Sequence, residues 1–436
     1  MKPFNQFIIS NYSWDPESLT ASFCYSFDNV ENFVEKIDFR PLKDREIFSI
    51  IRNNLEEINQ ILAHLHIALW VSYYKLFPTK EIIVESLSLT EEQKSFWNTF
   101  YLNWQGEFFY KNHLDPRGLA NFVSKEWTPK FDNKISLKAD KSLVLFWGWK
   151  DSLVSVELLK QQGEDFDLFS FWKEFPLHEI AAKPTNKNRL IIKRSLDLAQ
   201  ITKLLGQWYY NWHLPITGII SFVTIMVSYL YWYKATVTSL EKSADEWNTI
   251  YCDMEINHQW SKSAEFENLF KNYVSANISE DFSIYSLLRD WYEIKVVKEF
   301  SKYSQYFYSF SSCNRNFHIT WSKLTWDDLW CWICPKCLFV YTMLRAFIGK
   351  EKVNDIFNKD LFEDNNLIQL FSELLGIDWI KPFECVGTNE EMVIAFWLIL
   401  QNEPDCNSKI MNIFKEKIVS HMKEEDFRAL RTKLDV

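Results

Sequence analysis

The chain has 436 residues, 47% of them apolar, enough to bury sizeable cores in two or three domains. Its formal net charge of -10 argues against an extended nucleic-acid surface, whose affinity comes from clustered Lys and Arg, and points to a small, discrete substrate. Nine glycines stand against 20 tryptophans, where average usage of about 7% predicts roughly 30 glycines in this length.

From Met1 to about Asp140 the chain reads as an α+β domain. Its start, "MKPFNQFIISNYSWDPES", has no apolar run of signal-peptide length. The eight cysteines are therefore read in a reducing compartment, and the expected location is cytoplasmic. "LTASFCYSF" alternates like a strand. "IFSIIRNNLEEINQILAHLHIALWVSYYKLF" has the apolar recurrence of long helix, broken at Trp70, where glycine would serve as a helix break.

A second unit runs from Lys141 to about Phe310. "KSLVLFWGWKDS" reads as a strand, a tight turn and a helix start, the setting in which backbone N–H groups hold phosphate. Indoles at Trp147 and Trp149 would fill the space a triphosphate needs. The strands "LVLF", "FDLFSF", "RLIIKR" and "ATVTS" alternate with a helix over Asp151 to Gln162 and an apolar helix after Pro215. That alternation predicts an α/β fold, a parallel sheet with helices on both faces. Ligands of such sheets bind at the carboxyl ends of strands, where "WGWKDS" and "SLEKSADEW" fall. The uncharged stretch Pro215 to Tyr233 is either a membrane span or a buried helix. Thr217, Ser221, Thr224 and Ser228 within it, and the lack of a second span, favour burial, so no membrane insertion is expected.

Two polar stretches follow, "SLEKSADEWN" from Ser239 to Asn248 and "EINHQWSKSAEFE" from Glu255 to Glu267. They are candidates for substrate contact, and a solvated loop and helix face accounts for them equally well. A lone His258 is more often an ordinary polar histidine than a base.

The third unit, 311–436, opens on a cysteine cluster and continues as helices. Cys331, Cys334 and Cys337 stand at three-residue spacing in "CWICPKC", with Cys313 upstream in "SSCNRNF". Four thiolates suit tetrahedral zinc; an iron–sulfur cluster is the rival reading, and unliganded core thiols the third. Cys24, Cys252, Cys385 and Cys406 read as buried thiols.

Trp212, Trp247, Trp332 and Trp379 stand where glycine would be easy to explain. One reading is that UGA specifies glycine in this gene and that the translation renders it as tryptophan. The other, an aromatic-rich chain from an AT-rich genome, accounts for the 36 Phe but not for the missing Gly. Trp97, Trp330 and Trp397 look genuine in context.

With glycine at 147 and 149 the turn becomes G-G-G-K-D-S, close to the S-G-G-x-D-S loop of the PP-loop ATP pyrophosphatases. "GKDS" in that reading, "NWHLPITG", "SLEKSADEWN", "EINHQWSKSAEFE", "SSCNRNF", "WCWICPKC" and "KPFECVG" resemble, in the same order, the UDP-N-acetylmuramoyl-L-alanyl-L-glutamate epimerases (MurL). "ALWVSYYK" and "NWQGEFFYKN" add weaker echoes, so the resemblance extends from about Ala68 to Gly387. Most mismatches are tryptophan where the family has glycine. Leu240, where the family tends to have asparagine, is a departure of another kind.

The resemblance implies a PP-loop-like ATP site and ATP-dependent inversion of the terminal glutamate of a UDP-muramoyl dipeptide, a step in cell-wall precursor synthesis, with AMP and pyrophosphate released. It implies ATP and Mg²⁺ on Trp147, Gly148, Trp149, Lys150, Asp151 and Ser152, with Ser239, Glu241, Lys242, Ser243, Glu246 and Asn248 as the second loop. For proton transfer and carboxylate binding the candidates are His258, Lys262, Arg315 and Lys336. Two other readings compete: an adenylating ligase or nucleobase-modifying enzyme with the same loop, and, with the tryptophans real, a zinc-stabilised binding module without catalysis.

Overall fold

The computed structural model describes the chain except residues 1, 42–51, 126–129, 132, 138, 213–215, 318–328 and 379–380. Trp379, Pro215 and the start of the first long helical stretch fall outside the described residues.

Among the described residues ten strands form one sheet: β1 (Gln6–Asp15), β2 (Thr20–Phe27), β3 (Glu31–Asp38), β4 (Glu81–Val84), β5 (Asn121–Ser124), β6 (Lys141–Leu145), β7 (Phe166–Trp172), β8 (Arg189–Ser195), β9 (Tyr233–Thr238) and, after a small hairpin β10 (Thr249–Tyr251) and β11 (Met254–Ile256), β12 (Ser283–Ser286). Their order is β12-β9-β6-β7-β8-β3-β2-β1-β4-β5. β12, β9, β6, β7 and β8 pair in parallel, whereas β1, β2 and β3 form an antiparallel meander. Asp28 and Asn29 at φ 51° and 57° make the turn between β2 and β3, the left-handed pair that tight hairpins favour.

The two halves join where β3 and β8 pair antiparallel, Ile37 opposite Arg194. Across this seam Arg194 Nε donates to Glu35 Oε1 at 2.6 Å, both side chains almost fully buried. The sheet is thus continuous from the N-terminal meander into the parallel strands.

The central parallel strands β6 and β7 are buried along nearly their whole length, as strands covered on both sides are. Leu143 and Leu145 of β6 pack with the helices Leu55–Leu69 and Thr217–Tyr231. Val144 and Phe146 pack on the opposite face with Lys150–Gln161, Glu293–Phe300 and the C-terminal helices. The expected parallel strands with helices on both faces are therefore present within a larger mixed sheet, and the region after 311 is mostly helical, as expected.

The uncharged stretch is a buried helix, with every residue from Gly218 to Tyr231 enclosed. Among the described residues no helix is long and apolar enough to cross a membrane. Trp70 separates the helix Leu55–Leu69 from the short helix Val71–Tyr74, but its indole is buried and stacks on Phe7 and Tyr101.

Candidate active site

β6 ends at Leu145, and the chain turns through 146–149 into the helix Lys150–Gln161. Gly148 lies at φ +76°, and a Cβ there would approach Ala181 Cβ to 2.9 Å. A side chain is excluded by both conformation and space. Trp149 stands at the helix N-cap without a side-chain cap, and Ser152 Oγ donates to its carbonyl at 2.8 Å. Its indole faces two cations, with Lys336 Nζ 3.4 Å and Lys262 Nζ 5.3 Å from the ring centroid. Trp147 packs edge-on against His178, ring centroids 5.3 Å apart.

Lys150 is buried and its Nζ donates to Asp151 Oδ1 and Glu293 Oε1, each at 2.5 Å. The loop after β9 brings up a third carboxylate, Glu241. Burial raises it, Glu293 and Asp151 raise it further, and together they push it to about 8. Burial also raises Glu293, against the attraction of Lys150. Three acidic groups and three lysines thus share one enclosed region at the carboxyl ends of β6 and β9.

The rest of the second loop holds this region in place. Ser239 Oγ donates to Ser155 Oγ at 2.8 Å, and Ser243 Oγ accepts from the Glu293 backbone N–H at 3.0 Å. Leu240 uses both its N–H and its carbonyl on Ser286 Oγ, so its backbone keeps the loop shape whatever its side chain. Glu246 pairs with Lys381, and Lys242 is exposed, over the ring of Tyr292. Asn248 ties two segments together: its Oδ1 accepts from the His258 N–H at 2.9 Å and its Nδ2 donates to the Pro382 carbonyl at 3.4 Å.

That tie places His258 beside the "KPFECVG" segment. His258 Nδ1 lies 2.5 Å from Glu107 Oε2, and Cys385 is a close neighbour of the same ring. Lys262 Nζ donates to Cys385 Sγ at 3.1 Å. Burial alone would lower His258, but Cys385 and Glu107 beside it outweigh this and raise the imidazole to about 10. Burial raises the Cys385 thiol, yet Lys262 and His258 reverse this and hold it well below the usual thiol range. The same contacts favour the charged forms of both groups, imidazolium and thiolate.

Glu391 fixes the other side. Its Oε2 accepts from the Thr388 N–H at 2.6 Å in a capping box, and its Oε1 accepts from the Ile294 N–H at 2.7 Å. Gly387 leaves room for that carboxylate, since a Cβ there would come within 2.5 Å of Glu391 Oε2.

The four cysteine sulfurs of Cys313, Cys331, Cys334 and Cys337 lie within 4.8 Å of one another. Cys331 and Cys337 are 3.7 Å apart, Cys334 and Cys337 3.5 Å, close to the spacing of about 3.8 Å that follows from tetrahedral Zn–S bonds of about 2.3 Å. This set could bind a metal such as zinc. Asn314 Nδ2 donates to Glu384 Oε2 at 2.5 Å, which links the cysteine knuckle to the residue before Cys385.

The sequence candidates Lys150, Asp151, Glu241, His258, Lys262 and Lys336 therefore converge. Arg315 is exposed and is not part of this buried group. Glu107, Glu293 and Cys385 were not among the candidates. Cys385 has no neighbour at metal-ligand spacing, and a single acidic residue on a helix gives no local pattern; only the co-occurrence of "ECVG" with the other motifs marked that segment.

Comparison with known proteins gives a consistent result. Residues 1–287 match the MurL N-terminal domain and residues 309–429 the MurL C-terminal domain. A protein of Xanthomonas oryzae named UDP-N-acetyl-alpha-D-muramoyl-L-alanyl-L-glutamate epimerase is 33% identical over 98% of this chain and 94% of its own length. Proteins of the same name from a Micromonospora strain and from Salinispora tropica are 30% and 29% identical, each over 92% of this chain and 88% and 86% of their own.

Proposed function

This chain belongs to the family of UDP-N-acetyl-alpha-D-muramoyl-L-alanyl-L-glutamate epimerases, and on that premise we propose that it is an isomerase that inverts the terminal L-glutamate of the UDP-muramoyl dipeptide to D-glutamate, using ATP to adenylate the glutamate carboxylate. The observation that carries this reading is the enclosed group of Lys150, Lys262, Lys336, Asp151, Glu241 and Glu293 at the carboxyl ends of β6 and β9. A site for a polyanion and a divalent cation needs this mixture of charges.

The chemistry requires activation. The glutamate nitrogen is locked in an amide and its free carboxylate makes the Cα–H very weakly acidic. Adenylation removes the negative charge and acidifies that proton, which a base removes and returns from the other face before water releases the product. AMP and pyrophosphate leave. Gly148, Lys150, Asp151 and Ser152 are the residues for ATP, and Asp151 with Glu241 and Glu293 offers the oxygen donors that Mg²⁺ prefers. Zinc on the four cysteines would fix the knuckle that carries Lys336. The reaction would serve peptidoglycan precursor synthesis in the cytoplasm.

An indole at 149 stands where phosphate oxygens would lie, so the reading includes glycine at 147 and 149, specified by UGA. Support comes from the backbone: Trp172, Trp208, Trp232 and Trp332 have φ of 95°, 68°, 61° and 59°. A bulky side chain in the left-handed region is a genuine outlier, whereas glycine adopts it freely. Trp97, Trp330 and Trp397 differ, each buried against aromatic rings at Tyr273, Phe357 and Phe427.

Incubation with the UDP-muramoyl dipeptide, ATP and Mg²⁺, followed by acid hydrolysis and chiral chromatography of glutamate, tests the proposal. D-glutamate formed together with AMP is the expected result. D-glutamate formed without ATP would remove the adenylation step, and none under any condition would remove the epimerase reading.

A further inference from the structure

Glu107, His258, Lys262 and Cys385 gather a carboxylate, an imidazole, an ammonium and a thiol in one place. Glu107 Oε2 is 2.5 Å from His258 Nδ1, Lys262 Nζ reaches Cys385 Sγ at 3.1 Å, and Cys385 is close enough to the His258 ring to favour its charged form. They come from distant parts of the chain, the helix Gly106–Lys111, the segment after β11 and the segment before the helix Asn389–Asn402. Enzymes that transfer acyl groups repeatedly bring a nucleophile, an imidazole and an orienting acid together in this way.

We propose that Cys385 is the nucleophile of this group and carries the glutamate as a thioester during epimerisation, an inference that rests on the adenylation reading above. Lys262 joins the group to the phosphate loop, because its ammonium contacts Cys385 Sγ and also faces residue 149. The half-buried thiol has Lys262, His258 and Lys336 as cationic neighbours that lower it, with the acidic Glu384 also acting on it.

The steps balance. As the thiolate paired with Lys262, Sγ attacks the carbonyl carbon of the acyl adenylate; the C–S bond forms, the C–O bond to AMP breaks, and AMP leaves with the electron pair. The thioester keeps the carbonyl electron-poor after AMP has gone. Acylation also cancels the thiolate charge, so Lys262 and His258 are left facing the carbonyl oxygen, where negative charge develops as the Cα proton leaves. After the proton returns to the opposite face, water adds at the carbonyl, the C–S bond breaks, Sγ leaves as thiolate, and the carboxylate product and two protons are released.

Substrate-dependent ATP–pyrophosphate exchange, epimerisation and Cα deuterium uptake, compared between the natively translated protein and Cys385→Ser and Cys385→Ala, separate the stages. Both variants should lose epimerisation and deuterium uptake by at least about a thousandfold while exchange persists. The unaltered protein quenched in acid during turnover should gain the mass of the acyl group, and hydroxylamine should remove it. Should a variant fail to fold, the quench and the protection of Cys385 from iodoacetamide by substrate with ATP still decide. Epimerisation by Cys385→Ala within about tenfold of the unaltered protein, or full turnover with no trapped acyl group, overturns the thioester. Absence of pyrophosphate exchange in the unaltered protein instead overturns adenylation, and the thioester with it.

Discussion

Lys336 Nζ stands 3.4 Å from the centroid of the Trp149 indole, so a ring occupies the space directly ahead of a helix that begins with Lys150, Asp151 and Ser152. Cation–π attraction holds the two together, and the same ammonium is freed for an anion once the ring is gone. The double variant Trp147→Gly, Trp149→Gly should bind ATP and Mg²⁺ where the tryptophan form does not. Thermal unfolding reads this directly: ligand at about a hundred times Kd adds about 2.7 kcal/mol, a shift of several degrees. An equal shift in the tryptophan form would show that the indole does not obstruct the nucleotide.

The other misfit tryptophans make an independent prediction. Trp208 is 87% exposed with φ 68°, so its side chain contributes little packing and its backbone is strained. Trp208→Gly should stabilise the chain by about 1 kcal/mol, where an exposed tryptophan in relaxed backbone would change stability little in either direction. Denaturant unfolding of the single variant measures it.

Much of this was legible from local pattern. The strand, turn and helix around Gly148 and the buried helix Thr217–Tyr231 each rest on periodicity or spacing within a few residues, and the cysteine cluster on one tight run plus Cys313. The seam between β3 and β8 was not legible, because it pairs Ile37 with Arg194 across the intervening chain and neither strand advertises its neighbour. Cys385 escaped for a related reason. Its character comes from Lys262, His258 and Glu107, which only the folded chain assembles.

The seam has its own test. Arg194 and Glu35 are both almost fully buried, and removing one partner strands a charge. Arg194→Met should cost about 3–5 kcal/mol in equilibrium unfolding, and Arg194→Met with Glu35→Leu should recover most of it. Equal losses in the single and double variants would mean that the pair contributes shape rather than charge compensation.

The cysteine knuckle should carry one zinc ion per chain. Elemental analysis reads the metal, and a colourless protein with one zinc equivalent is the expected result; iron with sulfide and brown colour would point to a cluster instead. Because metal binding free energy is folding free energy for such knuckles, a strong chelator should loosen the region around Cys313 and the helix Pro335–Ile348, seen as faster amide exchange there.

Three histidines set an acid limit. Burial lowers His64, His66 and His178 to about 3, with Arg189 adding to the effect on His178. The unfolded chain takes up these protons near pH 6.5 and the folded chain only near pH 3, so between those values the unfolded state binds more protons and stability falls as pH falls. His64, whose Nδ1 lies 2.8 Å from Tyr273 Oη, is the simplest to replace. His64→Gln should reduce the loss of stability between pH 6.5 and 3, measured by denaturant midpoints; an unchanged pH slope would show that His64 does not contribute.

Whether the loop can hold a triphosphate turns on which residues the ribosome places at 147 and 149, and peptide mass spectrometry across Ser142 to Lys150 of the natively expressed protein reads them. A peptide lighter than the tryptophan sequence by two tryptophan-to-glycine differences is the predicted result, and it restores G-G-G-K-D-S ahead of the helix. A mass matching two tryptophans would leave the indole of Trp149 in the phosphate space and contradict an ATP-dependent epimerase built on this loop.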